Sequence, residues 1–176
     1  RPSDHDIRRP VRIAALEPRL EQLGHKVQDI GDLDVMIPET QKVGEGKLRY
    51  KVPILAACQA LCESVEKSLE KNRTPLVIGG DHSIAIGSVA GSTNFFARQN
   101  ETLGLIWFDA HGDANTPETT PSGNIHGMSL AVALGLGDAD LVQLGGRAPK
   151  VQPRNTVLIG IRDLDAGERD TLKKSG

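Results

Sequence analysis

Aromatic side chains are scarce: Phe, Trp and Tyr together make up 3% of the chain, with a single Trp and a single Tyr. A core must therefore be filled mostly by Leu, Ile, Val and Ala. An excess of charge of one sign is also lacking. Twenty-one Lys and Arg stand against 23 Asp and Glu, interspersed, for a formal charge of −2. That gives no electrostatic footprint for nucleic acid or for an anionic membrane surface. No apolar run approaches the roughly 18 residues that a membrane helix needs. Cysteine is limited to Cys58 and Cys62. Four apart in a helical pattern, they match no zinc spacing and read as half-buried core rather than a disulfide, which favours a reducing, cytoplasmic compartment. The N-terminus carries no initiator Met and no apolar signal region, and reads as the cut edge of a longer chain.

What is present fits one domain able to bury a sizeable core across its 176 residues. Val11–Leu23 places apolar residues on a helical face, interrupted by Pro18 and closed by Gly24. Val27–Ile30 reads as a short strand and residues 31–47 as a loop. Leu48–Lys71 is the longest helical pattern, with Leu55, Cys58, Leu61, Cys62, Val65 and Leu69 on one face. Thr74–Gly79 reads as a buried strand and Ile84–Arg98 as an apolar helix. The run Leu103–Phe108 is a second buried strand, Met128–Leu136 a short helix, Thr156–Arg162 a third strand, and a polar helix starts at Ala166. Strands and helices alternate, and the strands are continuously apolar rather than alternating. The expectation is a parallel sheet covered on both faces, a three-layer α/β/α fold.

Chemistry collects at the strand ends, where such sheets bind ligands. Thr74–Gly79 runs into Asp81-His82, and Thr156–Arg162 into Asp163 and Asp165. Leu103–Phe108 runs into Asp109, His111 and Asp113, spaced by two, so that all three can point one way while the backbone stays extended. Carboxylates and imidazole together suit a divalent metal that takes oxygen and nitrogen ligands. The Gly79-Gly80 pair permits tight backbone geometry before His82, and Asp81 can hold the other ring nitrogen. Four ligands from two strand ends suit two ions sharing a carboxylate better than one closed zinc site. The following segment, Asn115 to Gly127, is polar, small and carries His126; it reads as a functional loop. For His82 alone the ordinary reading is a capping or core histidine, for Asp165 a helix N-cap, and for Asn115 and Ser122 turn chemistry.

Gly80-Asp81-His82-Ser83, Asp109-Ala110-His111-Gly112-Asp113 and Ser122-Gly123-Asn124-Ile125-His126-Gly127 together resemble the arginases of the ureohydrolase family, from about Leu76 onward and more loosely through the preceding helix. Asp-Ala-His-x-Asp occurs across ureohydrolases. Asn115-Thr116-Pro117 with the Ser122–Gly127 segment is similar to arginase specifically. The resemblance implies two Mn²⁺ ions, with His82 and Asp113 ligating one, His111 the other, and Asp109 bridging them. It implies His126 as proton shuttle. Asn115 and Ser122 would hold the substrate α-carboxylate, and Asp165, supported by Glu168 and Asn124, the α-amino group. The implied reaction is hydrolysis of L-arginine to L-ornithine and urea by hydroxide held between the metals, in a cytoplasmic enzyme of arginine metabolism and the urea cycle. The resemblance also implies a homo-oligomer, trimer or hexamer.

The family's later Ser-x-Asp-x-Asp motif, with two further metal-ligating aspartates, has no counterpart here, nor has its guanidinium-binding glutamate. Ser3–Pro10 stands where the family carries Gly-Val-Asp-x-Gly-Pro. The expectation is a single arginase-like domain over residues 1–176, truncated and incomplete at its C-terminus. The rivals are another ureohydrolase such as agmatinase, and a non-catalytic remnant with weak metal binding.

Overall fold

The structure, a computed structural model, describes residues 14–37 and 40–175. Helix α1 spans Leu16–Gln22; residues 11–13 of the expected helix lie outside the described residues. Pro18 falls in its first turn, where backbone N–H groups have no intrahelical partner to lose, so it does not divide the helix. Gly24, at φ 90°, closes it: Gly24 N–H donates to Glu21 O at 2.9 Å and His25 N–H to Leu20 O at 3.2 Å, the paired bonds of a left-handed cap.

The main helical pair is α2, Lys51–Glu70, and α3, Ile84–Arg98. The face expected on α2 is the face buried, through Cys58, Leu61, Cys62 and Val65. The helices approach closely because α3 presents glycine. A Cβ at Gly87 would stand 2.4 Å from the Cys58 carbonyl oxygen, and one at Gly91 would stand 2.4 Å from that of Cys62. Arg98 fastens the far end, reaching Glu66 at 3.1 Å and Glu70 at 2.9 Å. Both cysteines are buried and free. Burial pushes the Cys58 thiol up to about 11, and Cys58 Sγ donates to Ser83 O at 3.3 Å.

Strand β1, Leu105–Phe108, pairs in parallel with β2, Thr156–Ile159, Ile106 facing Val157 and Phe108 facing Ile159. Between them run a 3₁₀ turn at Ile125–Met128 and two short helices, α4 at Ser129–Ala133 and α5 at Ala139–Gln143. The chain ends in α6, Ala166–Ser175. Helix α3 is shared by two cores. Ile86 and Ala90 join Cys58, Cys62, Met128 and Leu141; Ala85 and Val89 join Trp107, Leu130, Ala133 and Val151 against the sheet.

Two expectations are corrected, and a third is met only in part among the described residues. Residues 74–79 and 27–30 contain no sheet pairing, and Leu76 is 65% exposed. An apolar run becomes a strand only where a neighbour accepts its hydrogen bonds, and among the described residues neither run has one. The sheet is also not covered on both faces by the described residues. Trp107 is buried, but Ile106, Phe108, Val157 and Ile159 are exposed on the other face. Continuous apolar strands signal two covering layers, and the described residues supply one.

Candidate metal centre

The sheet pairing runs past the strands and carries the polar residues with it. Asp109 N–H donates to Ile159 O at 3.1 Å, Arg162 and Asp163 N–H groups donate to Ala110 O at 2.9 and 3.1 Å, and His111 bridges to Asp163 in parallel register. The backbone then turns. Asp113 adopts φ 47°, a left-handed conformation that only Gly, Asn and Asp visit readily. Its carbonyl is fixed by the N–H groups of Leu130 and Ala131 at 2.9 and 3.2 Å, at the start of α4.

This turn corrects the expectation that Asp109, His111 and Asp113 all point one way. Asp109 and Asp113 meet His82, forming a group whose ligand atoms lie within 4.8 Å of one another. His82 Nδ1 is 2.8 Å from Asp109 Oδ2 and 2.7 Å from Asp113 Oδ2. His111 lies outside that group, with Nδ1 3.5 Å from Asp109 Oδ1. Asp109 therefore faces one histidine with each oxygen. Asp113 is buried, whereas the His111 side chain is 63% exposed.

The hydrogen bond to Asp113 raises the His82 pKa above its ordinary 6.5, against the opposing effect of burial. Burial pushes the Asp109 carboxyl up, but the His111 N–H and the His82 imidazole outweigh it and hold the group below its ordinary value. An imidazole and two carboxylates drawn together, with the Asp109 carboxylate biased to the charged form, form a donor set that fits a divalent cation.

Asp81 is not the partner of His82 expected from the sequence. Its Oδ1 accepts from both the N–H and the hydroxyl of Ser83, which binds the carboxylate locally, and its Oδ2 lies 3.6 Å from His126 Nδ1. The His82 ring instead lies face to face with Trp107, centroids 4.2 Å apart and planes 22° off parallel. The sequence reading passed over Trp107, although a signal was there: strand alternation puts a residue two before Asp109 on the same side.

The remaining candidates divide into two groups. Asn115 Nδ2 donates to Asp165 Oδ2 at 3.0 Å, and Asn115 Oδ1 accepts from Thr119 at 2.9 Å. Both oxygens of buried Glu168 are taken by backbone: Oε1 by Ala114 N–H at 3.1 Å and Oε2 by Asp165 N–H at 2.9 Å. The second bond is the return half of a capping box at the start of α6, so Glu168 pins the metal loop to that helix. Gly112 lies in the same junction, where a Cβ would come within 2.5 Å of Leu164. Ser122 and Asn124 belong to a separate turn, in which Asn124 N–H donates to Ser122 Oγ at 3.2 Å. That turn is docked on the segment before α2 through Arg49 N–H to Gly123 O at 3.0 Å. Gly123, at φ 76°, sits so close that a Cβ would strike Gly46 O. Among the described residues no hydrogen bond joins the Ser122, Asn124 or His126 side chains to the Asn115–Asp165 pair, although Asn115 N–H donates to Gly127 O at 3.1 Å.

Beyond the carboxyl edge of a parallel α/β sheet, an imidazole and two carboxylates converge as a donor set able to hold a divalent metal ion. The arginase family model matches residues 5–176, further toward the N-terminus than the motifs alone indicate. The arginase of Bacillus subtilis is 48% identical over 167 residues, 94% of this chain and 54% of the relative. That of Staphylococcus aureus is 47% identical over 165 residues, 93% and 53%. The solved arginase of Bacillus caldovelox superposes with a TM-score of 0.88 at 45% identity, covering 94% of this chain and 55% of the other. The chain belongs to the arginase family and has its α/β fold; it spans about half the length of the curated relatives it matches.

Proposed function

We propose that this protein is an arginase, hydrolysing L-arginine to L-ornithine and urea. The observation that carries the reading is the convergence of His82, Asp109 and Asp113 beside the Asn115–Asp165 pair. His82, Asp109 and Asp113 would hold one divalent ion, Mn²⁺ by resemblance. Asp109 and His111 would hold a second, since the two Asp109 oxygens already face different histidines. Bound divalent metal supplies a strong nucleophile from water near neutral pH, which a planar guanidinium, a poor electrophile, requires.

The chain's own residues do the rest. Asp165, an acceptor held by the Asn115 amide, takes the substrate ammonium, with Glu168 fixing the backbone on which both stand and Asn124 in support. Asn115 has a second amide hydrogen and Ser122 a hydroxyl hydrogen to offer the α-carboxylate, reading it without adding charge beside the metal. His126, half-exposed and outside the ligand group, delivers a proton to the leaving amine. A crystal structure of the Entamoeba histolytica arginase, 37% identical to this chain, was solved with L-ornithine, the product this reading assigns. The same reading carries a cytoplasmic enzyme of arginine metabolism, including the urea cycle, working as a homo-oligomer, trimer or hexamer.

Urea release from L-arginine and from agmatine, measured on Mn²⁺-loaded protein, tests this. Preference for arginine is expected; equal or faster agmatine turnover would make it an agmatinase. A second reading is favoured by one feature: three ligands meet at His82, while His111 shares only Asp109. A chain that binds metal at His82 and releases no urea from either substrate would be a non-catalytic metal binder.

A further inference from the structure

Trp107 is 3% exposed, and among the described residues its indole Nε1 has no hydrogen-bond partner. A core position that needed only volume would be filled by Phe or Leu without stranding a donor. What the indole supplies in addition is a broad flat face, and that face lies on the imidazole of His82, centroids 4.2 Å apart and 22° from parallel. Histidines that bind metal ordinarily have their second ring nitrogen held by a carboxylate or carbonyl. Among the described residues no such bond to His82 Nε2 is found, and Asp81, the neighbour able to make it, is taken by Ser83. The half-exposed ring is thus held by hydrogen bonds at Nδ1 alone, to Asp109 and Asp113, which leaves its plane to be set by what packs on its face.

We propose that Trp107 is a positioning residue for His82. Its indole holds the imidazole plane so that Nδ1 faces Asp109 and Asp113, and it thereby sets the divalent affinity of the site. This rests on the metal-site reading of His82, Asp109 and Asp113. Trp107 itself is fixed from both sides: by its place in β1, paired to Leu158, and by Val89, Leu130 and Ala133 packed around it. The strand thus delivers Asp109 to the site directly and His82 through the ring stacked upon it.

The chain's single tryptophan makes the contact readable without metal. His82→Ala should shift or re-scale Trp107 emission, because a polar ring in contact with the indole is removed, whereas His25→Ala, at an exposed position after α1, should not. Calorimetric titration with Mn²⁺ then compares the wild type with Trp107→Phe and Trp107→Leu, alongside metal-free melting temperatures. Loss of an orienting partner weakens metal binding by about 10–100-fold, so Trp107→Leu is expected in that range. Trp107→Phe, which keeps a flat face, should retain most of the affinity even if both variants melt at similarly lowered temperatures. Affinity that falls equally in the two variants, or that follows melting temperature alone, would reduce Trp107 to a core residue. So would emission indifferent to His82→Ala. A wild-type chain that binds no Mn²⁺ would remove the metal-site reading and the proposal with it. Normal wild-type binding with an unaffected Trp107→Leu would remove only the proposal.

Discussion

Asp109 shows how single side chains were legible in the sequence and where legibility stopped. The Asp-Ala-His-Gly-Asp run names its chemistry because carboxylate and imidazole at a strand end have few purely structural uses. It does not disclose that Asp113 turns left-handed, which breaks the two-residue period and leaves His111 apart from the group. The stack on Trp107 was equally hidden, being a contact between residues 25 positions apart. Two substitutions probe the roles proposed for this loop, in preparations that hydrolyse arginine. His126→Ala should lower turnover by about 10²–10⁴-fold, the usual contribution of a positioned acid or base, while metal content stays unchanged. Metal analysis and urea assay on one sample check it, and loss of half the metal would instead make His126 a ligand. Asp165→Ala should raise KM for arginine, because the carboxylate proposed to hold the α-ammonium is removed, while kcat and metal content change much less. A lowered melting temperature with KM for arginine unaltered would assign Asp165 to the helix cap.

Among the elements, helices were read more faithfully than strands. A helix satisfies its backbone internally, so the pattern around Cys58, Leu61 and Val65 is enough to specify α2. A strand depends on a neighbour that local sequence does not name, and among the described residues the runs at 27–30 and 74–79 have none. The α2–α3 contact was likewise absent from the sequence reading, since glycine in a helix carries no sign of what it faces. Gly87→Ala would drive a Cβ toward the Cys58 carbonyl, 2.4 Å away. The helices must then separate, at a cost of about 1–3 kcal/mol, as overpacked contacts show. Chemical denaturation of Gly87→Ala beside Gly46→Ala, where a Cβ meets nothing within 4 Å, measures it; equal stabilities would contradict the close approach.

For the whole molecule, the largest charge burial lies away from the metal centre. Lys150 is 4% exposed, its ammonium donating to the Val142 carbonyl at 2.6 Å, and burial lowers its pKa from 10.5 to about 8. Between those values the unfolded chain holds a proton that the folded chain has released. Stability should therefore rise with pH through that window and be lowest below it. The rise is about 3 kcal/mol at most, from the roughly 1.4 kcal/mol per pKa unit. Denaturation of the wild type and Lys150→Met across that window checks this; a variant with the same slope would locate the titration elsewhere. Nothing in the sequence around Ala148-Pro149-Lys150 distinguishes this lysine from a surface one. The sheet face that the described residues leave exposed was equally illegible, because an apolar run states that cover is needed without stating what provides it.

The donor set at His82 carries the functional assignment. Its most direct test is calorimetric titration of the metal-free protein with Mn²⁺, repeated on His82→Ala. Affinity grows with the number and charge of ligands, and three ligand atoms converge at His82 while His111 shares only Asp109. One tight site per chain is therefore predicted, with any second binding much weaker, and the tight site should vanish in His82→Ala. Two sites of equal affinity, or a tight site that survives loss of His82, would contradict the assignment.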